Sequence, residues 1–495
     1  MQFNQNALSK KTKHLDEIKA NTKLLDEVIG RNMGIDVSVK EQTRRWVGGG
    51  ATSYLLELPQ KKVYLKVKHK DVTVESKLEE EKDFLHESCL SHEYKMLKTA
   101  EKAGVSVPSV VFYDTNGDFE FLATEYIKMS LEEALNDASL DQILKLWESL
   151  TKNVRTLFDS GLVHSDIHEY NIRCKSAEEC VLIDFEECRC FKQNCHFEES
   201  LDFTGTNGHS SLGEFPLCHN QKYSVHINSL ARMRQVFKEY VAEKTVKYIK
   251  ECNYDSSNGI CVTIDHGKSE KTYQPIKNSF FKIDGQRGEE DKRPRIINAL
   301  CDELLNKQEY ILVDIGSNNG LFCREHSKHT NGASKSIGLE GFHKFNVLAK
   351  ALAFLDDCKN IEYYDFLCGE DDLKTLSLDK PCFISICSVW HHIQQKQAFL
   401  EQLKNFDIAY IFLEMAVQEE CYESRSWEKE IENIKMALSL SEATLIGYSS
   451  DYNRPMVLIS KKQLTNSQKT RIRSIMKSIY RKSLWERIRR FVHGK

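Results

Sequence analysis

The sequence predicts two consecutive domains of different fold class: a bilobal α+β domain, and after it an α/β domain built on a doubly wound sheet. Two observations lead to this prediction. In the first half, predicted strands surround one helix and are followed by mainly helical sequence. In the second half, seven short apolar runs alternate with helical stretches, which is typical of a mainly parallel sheet. The 495 residues are enough for two or three domains of ordinary size.

Apolar periodicity predicts each element in order. In the first domain we predict strands at 53–57, 62–67, 110–113 and 119–125 and helices at 85–103, 140–160 and 227–250. In the second domain we predict strands at 310–315, 336–339, 361–364, 383–387, 410–413, 443–447 and 456–460. Turn-forming residues near 251–272 break the periodicity and predict a boundary there.

Changes in composition then divide the chain into five segments. They are an N-terminal helical segment at 1–45, the bilobal domain at 46–250, a linker at 251–272, the doubly wound domain at 273–462 and a basic amphipathic helix at 463–495. The first segment has apolar residues at helical spacing. We expect it to dock on the body of the protein, and pairing with a second copy is the alternative.

Composition excludes several classes of protein. The chain is 41% hydrophobic and 29% charged, which is ordinary for a soluble protein, and its net charge of −4 gives no basic field for nucleic acid. No apolar run approaches the ~20 residues that span a bilayer, and the N-terminus lacks the apolar core of a signal peptide. We therefore interpret the sixteen cysteines as reduced thiols and predict a cytoplasmic protein.

One motif predicts phosphoryl transfer. The stretch HSDIHEYN at 164–171 is followed by the short apolar strand and acid VLIDF at 181–185. In kinase-like folds this pattern supplies an aspartate that accepts the proton of the attacking hydroxyl and two ligands for the Mg²⁺ that neutralises ATP phosphates. We therefore predict Asp166 as the catalytic base, and Asn171 and Asp184 as the metal ligands.

The remaining parts of a kinase site occur in the expected order. Three glycines that could approach phosphates precede the first strand, and they are Gly48, Gly49 and Gly50. The run VYLK at 63–66 predicts that Lys66 contacts ATP, with Lys68 as the alternative two positions on. Glu93 on the following helix is the predicted partner of Lys66. Because Glu186 replaces the glycine expected after Asp184 and Phe185, and no A-P-E segment follows, the sequence favours a compact small-molecule kinase.

The second domain carries a motif for a nucleoside cofactor. The run ILVDIGSNNG at 311–320 ends a strand with a glycine turn and opens a helix. Its spacing differs from the G-x-G-x-x-G of dinucleotide sites and is closer to that of S-adenosylmethionine-dependent methyltransferases. We predict that Asp314, Gly316 and Gly320 contact S-adenosylmethionine and that Glu340 binds its ribose hydroxyls. Asp365 and Phe366 after the third strand are predicted to lie beside its adenine.

A histidine pair, His391 and His392, follows the fourth strand of the second domain. In methyltransferases this position faces the substrate. We predict a catalytic or phosphate-binding role for the pair, and the alternative is one core histidine beside one surface histidine.

The second domain also resembles one family, the bifunctional kinase–methyltransferases that terminate polymannose O-antigen chains in lipopolysaccharide synthesis. The resemblance rests on YQPI at 273–276, VDIG at 313–316, SVWHHI at 388–393, LEMAVQEE at 413–420 and RPMVLIS at 454–460. It implies that Tyr273 and one arginine among Arg287, Arg293 and Arg295 close over S-adenosylmethionine. It also implies phosphorylation of a terminal sugar followed by methylation of that phosphate. The domain order expected here is the reverse of that family's.

The C-terminal segment predicts a membrane location. From Ser467 to Lys495, ten Lys or Arg residues accompany one acid, and apolar residues recur at helical spacing. This pattern favours the anionic inner membrane surface, and a membrane-associated partner such as a glycosyltransferase is the alternative. With a lipid-linked glycan as acceptor, we expect a peripheral protein of the cytoplasmic membrane face. Two other hypotheses stay open: a lipopolysaccharide core-sugar kinase whose methyltransferase has a separate acceptor, and a scaffold with one degenerate half.

Overall fold

The computed structural model describes most of the chain, in two compact units. The described residues are 22–34, 45–46, 51–57, 61–70, 90–164, 166–190, 230–251, 261–264, 269–286, 291–305, 308–376, 378–416, 426–449 and 453–493. Contacts divide the chain into Met1–Tyr240, called unit 1 here, and Val241–Lys495, called unit 2.

Unit 1 begins with a five-stranded antiparallel sheet of order β1-β2-β3-β5-β4. Its elements are α1 (Thr22–Met33), β1 (Arg45–Trp46), β2 (Thr52–Glu57), β3 (Lys62–His69), α2 (Leu90–Ala103), β4 (Val110–Asn116) and β5 (Phe119–Glu125). The apolar face of α1, formed by Leu25, Val28 and Ile29, is buried against this sheet. The N-terminal helix therefore packs on its own unit.

The second lobe of unit 1 is mainly helical. Its elements are β6 (Met129–Ser130), α3 (Leu131–Asp137), α4 (Leu140–Asp159), β7 (Leu162–Val163), β8 (Ile172–Ser176), β9 (Glu179–Leu182), β10 (Arg189–Cys190) and α5 (Leu230–Glu251), and the division between the units lies within α5. Helix α4 starts at a capping box in which Ser139 and Gln142 satisfy each other's backbone N–H groups. Strands β8 and β9 pair as an antiparallel hairpin. The two segments that carry the kinase motif precede and follow this hairpin. They therefore lie at the same end of the hairpin.

Unit 2 contains a seven-stranded sheet of order β17-β16-β15-β18-β19-β21-β20. Its strands are β15 (Ile311–Ile315), β16 (Lys335–Glu340), β17 (Ile361–Asp365), β18 (Cys382–Cys387), β19 (Ile408–Glu414), β20 (Glu442–Tyr448) and β21 (Pro455–Ser460). Strand β21 runs antiparallel to both of its neighbours, and the first five strands along the chain are parallel. All seven apolar runs identified in the sequence form strands. The strand order reverses between β15 and β18, which is where doubly wound sheets bind ligands.

Helices cover this sheet, and small hairpins precede it. The helices are α6 (Arg293–Leu305), α7 (Leu321–Thr330), α8 (His343–Leu355), α9 (Lys396–Leu403), α10 (Trp427–Ala437) and α11 (Asn466–His493). The hairpins are β11 (Cys261–Ile264) with β12 (Ser269–Thr272), and β13 (Ile276–Lys277) with β14 (Lys282–Ile283). The first hairpin lies inside the range that the sequence assigned to a linker, and its strands pair antiparallel from Cys261 opposite Thr272 to Ile264 opposite Ser269.

The start of α11 differs from the expected membrane-binding helix. Ile472, Met476 and Ile479 are buried in a core cluster with residues of α6 and β20. Two of the basic residues there form ion pairs, Lys469 with Glu442 and Arg471 with Glu303. The apolar face that the sequence assigned to a membrane therefore packs, over this part, on unit 2. No described helix is long and apolar enough to span a bilayer.

Candidate active sites

A buried lysine on β3 connects two carboxylates in unit 1. Lys66 Nζ lies 2.7 and 2.9 Å from the two carboxylate oxygens of Glu93 on α2, and 2.7 Å from Oδ1 of Asp184. The side chains of Lys66 and Glu93 are 7% and 3% exposed, so solvent screens their ion pair little. The structure thus brings together three residues that lie far apart in the sequence and that the motif analysis selected independently.

The charges of this cluster support one another. Burial opposes the charged form of Lys66, but the carboxylates of Asp184 and Glu93 raise its pKa well above the usual value. The Lys66 ammonium is the main cause of the lowered pKa of Asp184. Burial raises the pKa of Glu93 to about 7, and Lys66 opposes that rise. Lys66 and Asp184 therefore stay ionised at neutral pH.

The predicted base and the second metal ligand are in direct contact. The Asn171 side-chain amide donates hydrogen bonds to the backbone oxygen of Asp166 at 3.0 Å and to its Oδ2 at 2.8 Å. The Ile183 amide donates to the backbone oxygen of Asn171, and His164 Nε2 lies 2.9 Å from the backbone oxygen of Ile183. These bonds hold the Asp166 segment next to the one that ends at Asp184.

Asp184 itself adopts a left-handed backbone conformation, with φ 64° and ψ 67°. An aspartate is one of the few non-glycine residues that tolerate this region, and such local strain is common at active sites. The next residue, Phe185, is fully buried with its ring centroid 4.7 Å from that of His164. This anchor keeps the Asp184 carboxylate turned toward Lys66.

The residues present fit a Mg²⁺ ion. Because Asn171 uses its amide nitrogen on Asp166, its oxygen remains for a metal, and Asp184 contacts Lys66 through only one carboxylate oxygen. Mg²⁺ prefers such oxygen ligands and usually keeps water or phosphate oxygens in its other positions. No group of three or more His, Cys, Asp or Glu side chains suited to a metal occurs within the described ranges.

A second buried ion pair lies beside the first, and the sequence analysis missed it. Lys68 Nζ is 2.8 Å from Glu186 Oε1, with the lysine side chain 1% exposed. The lysine considered as an alternative to Lys66 therefore binds a different acid. The sequence did contain an indication of this second pair. Lys66 and Lys68 share a strand face, and Asp184 and Glu186 are likewise two residues apart. The three glycines at 48–50 lie outside the described residues.

The glycine turn of unit 2 requires its glycines. Gly316 and Gly320 have φ of 69° and 73°, which side-chain-bearing residues rarely adopt. A Cβ at Gly316 would lie 2.6 Å from a methyl carbon of Val389, and one at Gly320 would overlap the Tyr363 hydroxyl. The turn after β15 is therefore closely packed against the SVWHHI segment.

Polar groups converge beside this turn. Asp314 is buried, accepts a 2.6 Å hydrogen bond from the Ser385 hydroxyl through Oδ1, and has its pKa raised by burial to about 7. Three buried oxygens have no hydrogen-bond partner among the described residues, and they are Asp314 Oδ2, Ser317 Oγ and Asn319 Oδ1. Unsatisfied buried oxygens at a switch point fit a ligand that donates hydrogen bonds, and S-adenosylmethionine carries an ammonium and hydroxyls.

The ends of β16 and β17 hold the next predicted residues. Glu340 accepts hydrogen bonds from the backbone amides of Asn318 at 2.8 Å and Phe342 at 3.2 Å, so it lies against the glycine turn. Asp365 pairs with Glu340 across the two strands and is bound by Asn346 and His343 at 2.6 and 2.7 Å.

Phe366, suggested by the sequence to lie beside adenine together with Asp365, is instead buried in the core. The residue after it in the chain, Leu367, is 50% exposed, and Phe342 beyond Glu340 is 49% exposed. These two side chains are the apolar surface available at this edge, and the sequence analysis did not select them. Alternation along the extended chain could have indicated that Phe366 and Leu367 point to opposite sides.

The segment expected to close over the cofactor lies at the turn. The Asn319 side-chain amide donates a 3.1 Å hydrogen bond to the backbone oxygen of Gln274, next to half-buried Tyr273. Of the three candidate arginines, Arg287 lies outside the described residues and Arg295 is exposed. Arg293 is buried and bound to Asp291 at 2.9 Å and to Glu414 at 2.8 Å.

The histidine pair lies at the end of β18. The rings of His391 and His392 are 3.9 Å apart, with His392 the more exposed. Arg454 donates a 2.5 Å hydrogen bond to the Ser388 hydroxyl, which in turn donates to Glu414. Burial, and then the charge of Arg454, lowers the pKa of His392, so this histidine is neutral at neutral pH. The sequence analysis did not single out Arg454 as a site residue.

Parts of the chain are similar to known proteins. Residues 59–194, within unit 1, match the family model described as the RIO domain. Among solved structures, the bifunctional kinase-methyltransferase WbdD is similar at 20% identity and a TM-score of 0.29, over 35% of this chain and 40% of that chain. This chain therefore matches less than half the length of WbdD.

Two further solved structures show weaker identity. The N-terminal domain of EvdMO1, determined in the presence of SAH and D-fucose, is 12% identical over 38% of this chain and 91% of that chain, with a TM-score of 0.31. A SAM dependent methyltransferase from Aquifex aeolicus is 17% identical over 34% of this chain and 96% of that chain, with a TM-score of 0.25. At these values the function has to be argued from the sites themselves.

Proposed function

We propose that this chain is a bifunctional transferase that phosphorylates the terminal sugar of a lipid-linked polysaccharide with ATP and methylates the product with S-adenosylmethionine. The observation that carries the proposal is the contact of Lys66 with both Glu93 and Asp184. Kinases need this lysine–glutamate pair and the metal-binding aspartate in place at once. Capping a chain end in this way would stop its elongation in O-antigen or capsule synthesis.

In the phosphoryl transfer, Asp166 accepts the proton of the sugar hydroxyl. Lys66 binds the ATP phosphates, while Asn171 and Asp184 hold Mg²⁺, which supplies positive charge for the phosphates when bound. Glu186 at the position usually held by glycine supports an acceptor other than a protein.

In the methyl transfer, Asp314, Glu340 and the glycine turn bind S-adenosylmethionine, whose sulfonium supplies the methyl group when bound. Phe342 and Leu367 offer apolar surface for its adenine. Tyr273, in the segment bonded to the glycine turn through Gln274, would close over S-adenosylmethionine. A phosphate monoester oxygen is already anionic at neutral pH, so the acceptor needs alignment more than a base. Arg454 near His392 supports an anionic acceptor, since its positive charge attracts an anion.

The decisive experiment is ³²P transfer from ATP to membrane glycan by the full-length protein. Asp166→Ala should abolish incorporation, whereas Asp159→Ala, which alters an exposed acid at the end of α4, should leave it unchanged. Incorporation that persists in Asp166→Ala would refute the kinase assignment and leave the scaffold hypothesis.

A second experiment separates methylation of the phosphate from methylation of another acceptor. Methyl-labelled S-adenosylmethionine is added with membrane glycan, with and without ATP. Label that enters glycan only when ATP is present supports phosphate methylation. Label that enters equally without ATP favours the alternative of a core-sugar kinase joined to a methyltransferase with a separate acceptor.

We also propose that the protein acts at the cytoplasmic membrane surface, where a lipid-linked acceptor and a membrane-associated glycosyltransferase would be found. Because Ile472, Met476 and Ile479 are buried on unit 2, we narrow the proposed membrane-binding part of 467–495 to 481–495. That stretch still carries six Lys or Arg residues with Trp485 and Phe491. Nucleic acid is not among the proposed partners.

A further inference from the structure

His168 lies between the base and a metal ligand of the kinase site. Its Nδ1 accepts a 3.2 Å hydrogen bond from the backbone N–H of Tyr170, at the start of the short 3-10 turn Glu169–Asn171. Its Nε2 lies 3.3 Å from Oδ2 of Asp166. One side chain therefore caps the turn that carries Asn171 and also contacts the carboxylate of the base.

These contacts define the tautomer of the His168 ring. A neutral imidazole carries one N–H, and the nitrogen without it is the acceptor. Because Nδ1 accepts from Tyr170, the hydrogen is on Nε2, the nitrogen that faces Asp166. Asn171 donates to the same carboxylate oxygen at 2.8 Å. Oδ2 thus accepts a hydrogen bond from Asn171 and lies 3.3 Å from His168 Nε2, while no described residue forms a hydrogen bond to Oδ1.

We propose that His168 is a positioning residue of the kinase reaction, which fixes the Asp166 carboxylate so that Oδ1 faces the acceptor hydroxyl. The inference rests on the phosphoryl transfer proposed above. In that step the acceptor oxygen gives its proton to Oδ1 and forms a bond to the γ-phosphorus, and the bond from that phosphorus to the ADP oxygen breaks. His168 keeps its own proton throughout.

A fixed Asp166 carboxylate matters because the base must be correctly oriented toward the acceptor hydroxyl. A carboxylate rotates readily about its last side-chain bond, and each rotation away from the productive geometry removes the base from the hydroxyl. A displacement of about 1 Å at a reacting group can cost about a hundred-fold in rate. The same ring caps the turn of Asn171, so it aligns the base and the metal ligand together.

Three variants separate the cap from the contact with Asp166. His168→Asn keeps an acceptor near the Nδ1 position, and asparagine is a good cap, but its amide is too short to reach Asp166. His168→Gln carries an amide nitrogen near the Nε2 position. His168→Ala loses both functions. The probe is ADP release from MgATP by the full-length chain with membrane glycan as acceptor, and Asp166→Ala gives the background rate.

We expect kcat to fall about ten- to a hundred-fold in His168→Ala and His168→Asn with little change in KM for ATP, and His168→Gln to recover part of that loss. His168→Asn should melt at the wild-type temperature, which shows that the turn is intact. Wild-type kcat in His168→Asn would overturn the proposal and reduce His168 to a cap.

An NMR measurement that needs no turnover tests the same proposal. ¹⁵N NMR of histidine-labelled protein at pH 8 should show His168 as the Nε2–H tautomer, with and without MgATP. An Nδ1–H tautomer would overturn the positioning role whatever the activity. If wild-type ADP release merely equals that of Asp166→Ala, the proposed kinase function fails, and the tautomer still distinguishes that failure from failure of the positioning role.

Discussion

Lys68 and Glu186 form an ion pair of 2.8 Å in which the lysine side chain is 1% exposed and the glutamate side chain 12%. Two positions away on the same strand, Lys66 binds Asp184 at 2.7 Å. Strand β3 therefore holds the Asp184 turn at two points. In kinases with glycine at the Glu186 position, the turn lacks this second attachment. We infer that the two ion pairs fix the orientation of the Asp184 carboxylate.

Breaking this pair should destabilise unit 1. Lys68→Met leaves the Glu186 carboxylate without its buried partner, which costs about 3–5 kcal/mol of unfolding free energy. Replacing both residues, as Lys68→Met with Glu186→Leu, should recover most of that loss, because no unpaired charge remains. Urea unfolding of the three proteins measures the effect. Equal stability of the single and double variants would contradict the ion-pair argument.

Gly316→Ala should impair the cofactor site of unit 2. The added methyl meets Val389 at 2.6 Å on a backbone with φ 69°, so both sterics and conformation oppose it. We expect a loss of about 2 kcal/mol or more in stability and weaker binding of S-adenosylmethionine by isothermal titration calorimetry. Gly117→Ala is the matched control. Gly117 also has a positive φ, 59°, but its added Cβ would lie in open space, so the substitution should cost only about 1 kcal/mol of stability. Unchanged binding in Gly316→Ala would show that the turn is not part of the site.

The sequence predicts the strands well because each is a short apolar run, and burial on both faces selects such runs in a parallel sheet. It also predicts the pairing of Lys66 with Glu93, since kinase-like motifs limit both residues to a few positions along the chain. It does not predict the Lys68–Glu186 pair, because the register between β3 and the Asp184 turn is a tertiary property. Nor does it separate Phe366 from Leu367, whose orientations depend on how the chain leaves β17.

The helix α11 marks a different limit. An amphipathic helix that docks on a protein core and one that lies on a membrane show the same apolar spacing. Ile472 and Met476 matched both descriptions, and only the neighbouring positions of α6 and β20 decide that they are buried. The basic residues have the same ambiguity. Lys469 and Arg471, which the sequence assigned to a membrane surface, pair with acids of unit 2.

Asp314→Asn should make unit 2 more stable at high pH. In the unfolded chain Asp314 loses its proton near its ordinary pKa of 3.8, whereas in the folded protein burial raises the pKa to about 7. Between these pH values the folded state binds more protons, so this residue lowers stability as pH rises, by on the order of 4 kcal/mol in total. Asparagine carries no charge and removes this dependence.

Urea unfolding at pH 5 and pH 8, followed by tryptophan fluorescence, measures the difference between Asp314→Asn and wild type. The gain of the variant over wild type should be larger at pH 8. Asp379→Asn, which changes an exposed acid of unit 2, is the control and should show no such trend. A gain that is the same at both pH values would contradict a raised pKa at Asp314.

The two parts of α11 should respond differently to change. Met476→Ala removes a buried side chain and should cost about 2–5 kcal/mol of unit 2 stability, whereas Lys477→Ala at an exposed position should cost little. Removal of 481–495 should leave the melting temperature unchanged and abolish sedimentation with vesicles that contain phosphatidylglycerol. Each Lys or Arg near an anionic surface contributes about 1 kcal/mol to membrane binding, and six of them lie in this stretch. Wild-type protein should not sediment with neutral phosphatidylcholine vesicles. If the truncated chain still binds anionic vesicles, the membrane contact lies elsewhere in the protein, and the proposed role of 481–495 is wrong.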